Sequence, residues 1–146
     1  MDRKRGARGN LSTSAPQLGR YLCALGRYDE AEPLAHLGRE LGDETDVSTQ
    51  MLWRQVQARV DAHRGHEQQA ERLAREAVAI AELTDALNAQ GDALTDLGDV
   101  LAAAGRTEEA CEALDEALDR YERKRNLAMV AQVRPRVEHL RAATAA

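Results

Sequence analysis

The segment LGRYLCALGRYDEAEPL, residues 18–34, decides the fold because its pattern occurs twice more along the chain. QARVDAHRGHEQQAERL at 57–73 and LGDVLAAAGRTEEACEAL at 97–114 repeat the same order of a helical stretch, a glycine, polar residues and an alanine. The three glycines are Gly26, Gly65 and Gly105, and the three alanines are Ala31, Ala70 and Ala110. The glycine spacings are 39 and 40 residues (65 − 26 and 105 − 65), which indicates an internal repeat.

The residue types predict that each repeat is an antiparallel pair of helices. A glycine permits the left-handed backbone that ends a helix, and Asp29 and Thr107 are expected to cap the second helices. Small residues mark close helix crossings: Gly19, Ala58 and Gly98 in the first helices, and the three alanines in the second. Apolar residues follow at helical spacing, in the third repeat Leu94, Leu97, Leu101, Leu114, Ala117 and Tyr121. Each pair therefore buries its apolar face only against its neighbours.

This order of Leu-Gly, then Gly-Arg or Gly-His, then Glu-Glu-Ala or Asp-Glu-Ala resembles the tetratricopeptide repeat. The period exceeds the usual ~34 residues and is similar to the longer variety of kinesin light chains and bacterial signalling proteins. Residues 71–106 resemble the C-terminal repeat regions of bacterial regulatory ATPases, nucleotide cyclases and transcription regulators. The resemblance covers roughly residues 14–145 and implies an all-α, right-handed α-solenoid of three antiparallel helix pairs plus a C-terminal capping helix.

We expect residues 1–12 to form a disordered basic tail that carries Arg3, Lys4, Arg5 and Arg8. Residues 13–145 are expected to form one domain. Its predicted parts are repeats at about 13–42, 50–84 and 88–123 and a terminal helix at 127–143. Pro135 predicts a kink or a break in that last helix.

The second repeat and the N-terminal end depart from the pattern. Gln57 and Asp61 stand where the other repeats have leucine, so looser packing is expected there. Leu18 and Leu22 follow only a polar tail and are expected to lack full cover. Either a partner covers that end or the chain is part of a longer array, and the second interpretation is favoured.

Composition limits the class of protein. The chain is 43% hydrophobic and 31% charged, which is too apolar for a disordered chain and too charged for a membrane protein. A net charge of −5 argues against bulk attraction to nucleic acid. The two cysteines, Cys23 and Cys111, lie far apart in helical patterns, which favours a reduced, cytoplasmic chain.

Candidate chemical groups are sparse. His63 and His66 have a spacing that suits a metal, but Gly65 lies between them where the helix turns. Acidic residues between Glu108 and Asp119 follow the outer face of one helix. The sequence has no glycine-rich phosphate loop and no nucleophile–base set. We therefore expect no enzyme activity, no cofactor and no metal.

The resemblance implies that the first helices line a concave groove. Its residues, in that register, are Arg20, Cys23, Gln55, Arg59, Ala62, His63, Thr95, Asp99 and Ala102. Arg20 and Arg59 are expected to lie near each other, with Asp99 further on. Because a guanidinium can hold a carboxylate with two hydrogen bonds, we predict that an acidic peptide lies across these arginines. The alternative is that they are ordinary solvated charges.

The sequence thus predicts a protein–protein interaction or scaffold module that binds a peptide or protein segment in its groove. The resemblance suggests a regulatory part of a bacterial signalling or transcription protein, with no membrane partner. The alternative function is self-association, as a homodimer, through the N-terminal repeat. Nucleic-acid binding by the basic tail is a weaker third hypothesis.

Overall fold

The computed structural model describes the backbone of residues 2–145 and the side chains of residues 11–145. This part of the chain contains seven helices and no strand, which confirms the all-α prediction. The helices are α1 (Asp2–Ala24), α2 (Tyr28–Leu41), α3 (Val47–His63), α4 (Glu67–Glu82), α5 (Leu87–Ala103), α6 (Thr107–Lys124) and α7 (Leu127–Ala145). Helices α1/α2, α3/α4 and α5/α6 form three pairs that stack in chain order, and α7 packs on α6. The fold is an all-α solenoid.

The three turns within the pairs are built alike. Gly26, Gly65 and Gly105 have φ angles of 76°, 82° and 78°, in the left-handed region that glycine adopts without cost. After each glycine the next N–H donates to a carbonyl five residues back, as from Arg27 to Leu22 at 2.8 Å. The predicted glycine turns are confirmed.

The predicted helix caps are wrong. Helices α2 and α6 begin at Tyr28 and Thr107, so Asp29 and Thr107 lie in the first turn and do not cap it. The cap that the structure does show belongs to α3. There the Asp46 carboxylate accepts from the Thr49 N–H at 3.2 Å and from the Thr49 hydroxyl at 2.8 Å.

Small residues let the helices approach closely, as predicted. Ala31, Ala58, Ala70 and Ala110 have no exposed surface. A Cβ on Gly98 would lie 2.6 Å from Leu114 Cδ2, so a larger residue would push α5 away from α6. The predicted apolar stripe of the third repeat is buried throughout.

Helix α7 continues without a break through Pro135, contrary to one expectation. Pro135 and Ala131, whose carbonyl lies four residues back, are both exposed. Water can therefore reach the carbonyl that loses its helical donor. On the opposite face Val130, Val133 and Val137 are buried against α6, which is how α7 covers the last pair.

At the N-terminal end, the backbone of α1 begins at Asp2. The expectation of a disordered tail over residues 1–12 stays a prediction. Met1 and the side chains of Arg3, Lys4, Arg5 and Arg8 lie outside the described residues. No described helix combines the length and the apolar character needed to cross a membrane.

Candidate functional site

The first helices of the three repeats meet at one buried carboxylate. Asp96 of α5 has no exposed surface. Arg20 of α1 donates to it twice, at 3.0 and 3.1 Å, and the Arg59 guanidinium of α3 lies 2.6 Å from Oδ1. Gln55 adds a hydrogen bond from Nε2 at 2.8 Å. The structure therefore brings three of the predicted groove residues together around Asp96.

Further charges extend this group into a cluster of three arginines and three aspartates. Arg59 Nη2 lies 2.5 Å from Asp99 Oδ2, and Arg136 of α7 pairs with the same carboxylate. Arg20 Nη1 lies 3.8 Å from Asp92 Oδ2. We call Arg20, Arg59, Asp92, Asp96, Asp99 and Arg136 the concave cluster. Its positive and negative charges balance, so Arg20 and Arg59 already hold carboxylates of their own chain.

Burial and charge act in opposite directions on these groups. Burial alone raises the pKa of Asp96, but the charges and hydrogen bonds of Arg20 and Arg59 outweigh it and hold that pKa below its usual value. For Asp92, burial outweighs the Arg20 charge and the Tyr121 hydrogen bond, and its pKa is raised. Burial, aided by the Arg59 charge, also lowers the pKa of Arg136.

The remaining predicted groove residues have different environments. Gln55 and Thr95 are 1% and 2% exposed, so they are part of the interior. The Thr95 hydroxyl donates to the Gly91 carbonyl at 2.8 Å and lies 3.2 Å from the Tyr121 hydroxyl. His63 is exposed, and its ring stacks on Tyr28 with centroids 4.0 Å apart. Beside this ring pair lies a cavity of about 180 Å³. It is lined by Tyr28, Arg59, Ala62, His63, Asp99, Val100 and Ala103.

Sequence reasoning missed Asp92, Asp96 and Arg136. A signal for the aspartates was present, since Asp92, Asp96 and Asp99 are spaced by four and three residues on one face of α5. The equivalent position of the second repeat, 40 residues earlier (96 − 56), is Val56, which is also fully buried at 0% exposure. A buried carboxylate at that place requires positive partners.

Both cysteines, Cys23 and Cys111, are buried in the described part of the chain. Burial raises the pKa of the Cys23 thiol to about 11, so it stays protonated at neutral pH. Among residues 11–145, no three His, Cys, Asp or Glu side chains are grouped to hold a metal.

The outer face of α1 is apolar and exposed. Leu11, Leu18, Tyr21 and Leu25 are 45%, 52%, 68% and 68% exposed. Their spacings of seven, three and four residues place them on one side of the helix. We call these four residues the α1 stripe. Leu22, by contrast, is partly buried and packs against the core, so it does not lack cover as Leu18 does.

The family model of the tetratricopeptide repeat matches residues 12–38 and 91–130. The two matched segments contain the first and third helix turns, and the unmatched stretch contains Gln57 and Asp61. A search of curated proteins finds no match to the chain.

Proposed function

We propose that this tetratricopeptide-repeat protein is an interaction module that docks through the α1 stripe, and that a second copy of the chain is the partner there. Tetratricopeptide repeats generally mediate protein–protein interaction or scaffolding. The observation that carries the proposal is the exposure of the stripe. Seven large apolar side chains are exposed in the described part of the chain, and four of them belong to it. Several large apolar side chains exposed on one side of a helix are typical of a docking site.

The spacing of the stripe favours a helix as its partner. Steps of three, four and seven residues are typical of the contact line between two helices packed at a shallow angle. A two-fold axis would bring the same four residues together from both copies. The stripe is therefore complementary to itself.

The charges near the stripe favour the same partner. Between residues 11 and 25 the only charged side chain is Arg20, and it is bound to Asp96 on the inner side of the helix. Within residues 11–25, two copies of this face would meet without like-charge repulsion. One short helix seam is smaller than the ~800 Å² per partner of standard interfaces, so we expect reversible association that depends on concentration.

The groove prediction is weaker in comparison. Its arginines are balanced by aspartates, and the cavity beside His63 and Tyr28 is only about 180 Å³, which suits one side chain rather than a peptide. An acidic peptide would have to displace Asp96 or Asp99 from the arginines. A regulatory role in bacterial signalling or transcription is supported by the sequence resemblance, and a cytoplasmic location is supported by the two separated cysteines.

Light scattering across a wide concentration range tests the proposal. We expect the mass to rise from monomer towards dimer and to change little with added salt, since the interface is apolar. Leu18→Asp should remain a monomer throughout. The matched control is Leu83→Asp, because Leu83 is 85% exposed and lies outside the stripe; it should associate like the parent chain. A parent chain that stays monomeric, or a Leu18→Asp variant that dimerises normally, would refute the proposal.

A further inference from the structure

A cleft of about 500 Å³ runs between α2 and α4, with α3 as its floor. Its floor includes Arg54, Gln57 and Asp61, and we call it the α2–α4 cleft. The equivalent cleft of the next repeat lies between α4 and α6. Its floor has Leu94, Leu97 and Leu101, each 40 residues after its counterpart in the α2–α4 cleft (for example 94 − 54). The second repeat thus has three polar residues where the third has three leucines.

These polar residues are buried at a cost to stability. Asp61 and Gln57 are 3% and 9% exposed. Gln57 Nε2 donates to Asp61 Oδ1 at 3.1 Å and to Glu32 Oε2 at 3.0 Å. However, Asp61 Oδ2 and Gln57 Oε1 have no hydrogen-bond donor among the described residues. A buried acceptor left without a donor destabilises the fold, because it has lost its hydrogen bonds to water and gained none in exchange. A ligand group that binds these two oxygens must therefore be a hydrogen-bond donor.

Most charges around the cleft are already paired. Arg64 lies 2.7 Å from Glu32 and 3.3 Å from Asp29. Arg54 and Arg72 both pair with Glu76, at 3.0 and 3.5 Å.

Two opposite charges remain without such a partner in the described part of the chain. One is Asp61, whose nearest basic group is the His66 ring, with Nδ1 3.8 Å from Oδ1. The other is Arg39, whose guanidinium lies 4.8 Å from the centroid of the Trp53 ring and has no carboxylate partner. The cleft therefore offers one negative and one positive site.

The distance between the two sites follows from α3. Arg39 lies over Trp53, and Asp61 is eight residues beyond Trp53, or about 12 Å along the helix. An extended peptide rises about 3.3 Å per residue, so side chains four positions apart are separated by about 13 Å. The two separations agree.

We infer that the α2–α4 cleft binds an extended peptide segment of a partner protein in which a basic and an acidic residue stand four positions apart. The basic side chain donates to Asp61 and Gln57, and the acidic side chain pairs with Arg39. This surface lies on different helices from the α1 stripe, so the inference does not depend on self-association.

The His66 side chain is 60% exposed, and its Nδ1 lies 3.8 Å from Asp61 Oδ1. Its ring makes no hydrogen bond within the described residues, so rotation of the side chain into solvent breaks none. A lysine or arginine head can then occupy the place of the imidazole.

Fluorescence of Trp53 provides the measurement, because it is the single tryptophan of the chain and lines the cleft. The probe is a capped nine-residue peptide of serine and alanine with lysine and glutamate four positions apart, made in both orders. We expect a saturable change in emission with at least one order. A control peptide with lysine and glutamate adjacent should bind at least about threefold more weakly, since it cannot reach both sites.

Protein variants identify the contacts. Asp61→Asn keeps the shape of the side chain and should weaken binding at least about tenfold. Arg39→Gln should weaken it about threefold or more, because this charge is more exposed. Glu112→Gln, in the neighbouring cleft, is the matched control and should bind as the parent does. No saturable change with either peptide order, or equal affinity for Asp61→Asn and the parent, would overturn the inference.

Discussion

Asp96 of α5 and Arg59 of α3 form an ion pair at 2.6 Å although they are 37 residues apart in the chain. The carboxylate is fully buried, and the arginine side chain is 20% exposed. We predict that Asp96→Ala lowers the free energy of unfolding by about 3–5 kcal/mol, because it leaves Arg20 and Arg59 with too few acceptors. Urea unfolding followed by circular dichroism measures this.

Asp119→Ala is the control for that variant, since Asp119 pairs with Arg120 and Arg123 at an exposed site. Its effect should stay within about 1 kcal/mol. A loss for Asp96→Ala no larger than that of the control would show that the concave cluster contributes little to stability.

Two aspartates of the cluster, the fully buried Asp96 and the partly exposed Asp92, should respond to pH in opposite directions. The pKa of Asp96 is lower in the folded chain than in the unfolded one, so its contribution to stability is present above about pH 4 and is lost as the pH falls through the folded pKa. The stability advantage of the parent over Asp96→Asn should therefore shrink on acidification. An advantage that stays constant with pH would contradict this.

For Asp92 the pKa is raised in the folded chain, so the ionised carboxylate opposes folding at neutral pH. That penalty disappears as the pH falls through the folded pKa towards the lower unfolded value. We expect Asp92→Asn to be more stable than the parent at neutral pH and to lose this gain in acid. Denaturant midpoints measured across a pH series check the sign. A gain that grows in acid would show that Arg20 governs Asp92 instead.

Arg125 directly follows α6 and has a φ of 62°. It occupies the position that glycine occupies in the three turns within the helix pairs. The N–H of Asn126 donates to the Tyr121 carbonyl at 2.8 Å, as in those turns. Arg125→Gly should raise the free energy of unfolding by about 0.5–1 kcal/mol, because glycine relieves the strain of the left-handed backbone. Thermal unfolding gives the value.

The converse variant, Gly65→Ala, should lose about 1 kcal/mol. Its φ is 82°, and a Cβ there would meet no atom within 4 Å, so the loss arises from the backbone alone. If Arg125→Gly destabilised the chain, side-chain contacts of Arg125 would outweigh the strain.

Asp61→Leu copies Leu101 of the third repeat into the second. We expect it to raise the free energy of unfolding by about 1–3 kcal/mol, because an apolar side chain replaces a buried charge. The same variant should fail to bind the lysine–glutamate peptide. Urea titration and Trp53 fluorescence measure the two effects on one sample. Lower stability would mean that Asp61 is satisfied within the fold.

Much of the fold could be predicted from periodicity. Gly26, Gly65 and Gly105 indicated where the paired helices turn, and the small residues between them indicated where the helices cross. Helix starts were harder to predict, because Asp29 and Thr107 are good capping residues by type but lie two residues and one residue after the capping position. Helix α7 has no break at Pro135, because the effect of a proline on a helix depends on exposure, which the sequence does not state.

The site was predicted only in part. The resemblance to tetratricopeptide repeats implied that Arg20, Gln55, Arg59 and Asp99 share one surface, and the structure brings them together. Whether those arginines are free for a partner depends on Asp96, which comes from another repeat. Contacts between distant segments of this kind are set by packing and do not follow from the pattern of one helix.

Arg20 has a further consequence for how the chain unfolds. Stacked repeats normally contact only their nearest neighbours, so an array can open one unit at a time from its ends. Here Arg20 of the first repeat reaches past the second repeat to bind Asp96 of the third. Loss of α1 from the stack would expose a charge imbalance two repeats away. The ion pair thus couples the ends of the solenoid, and the three repeats should melt together as a single cooperative unit.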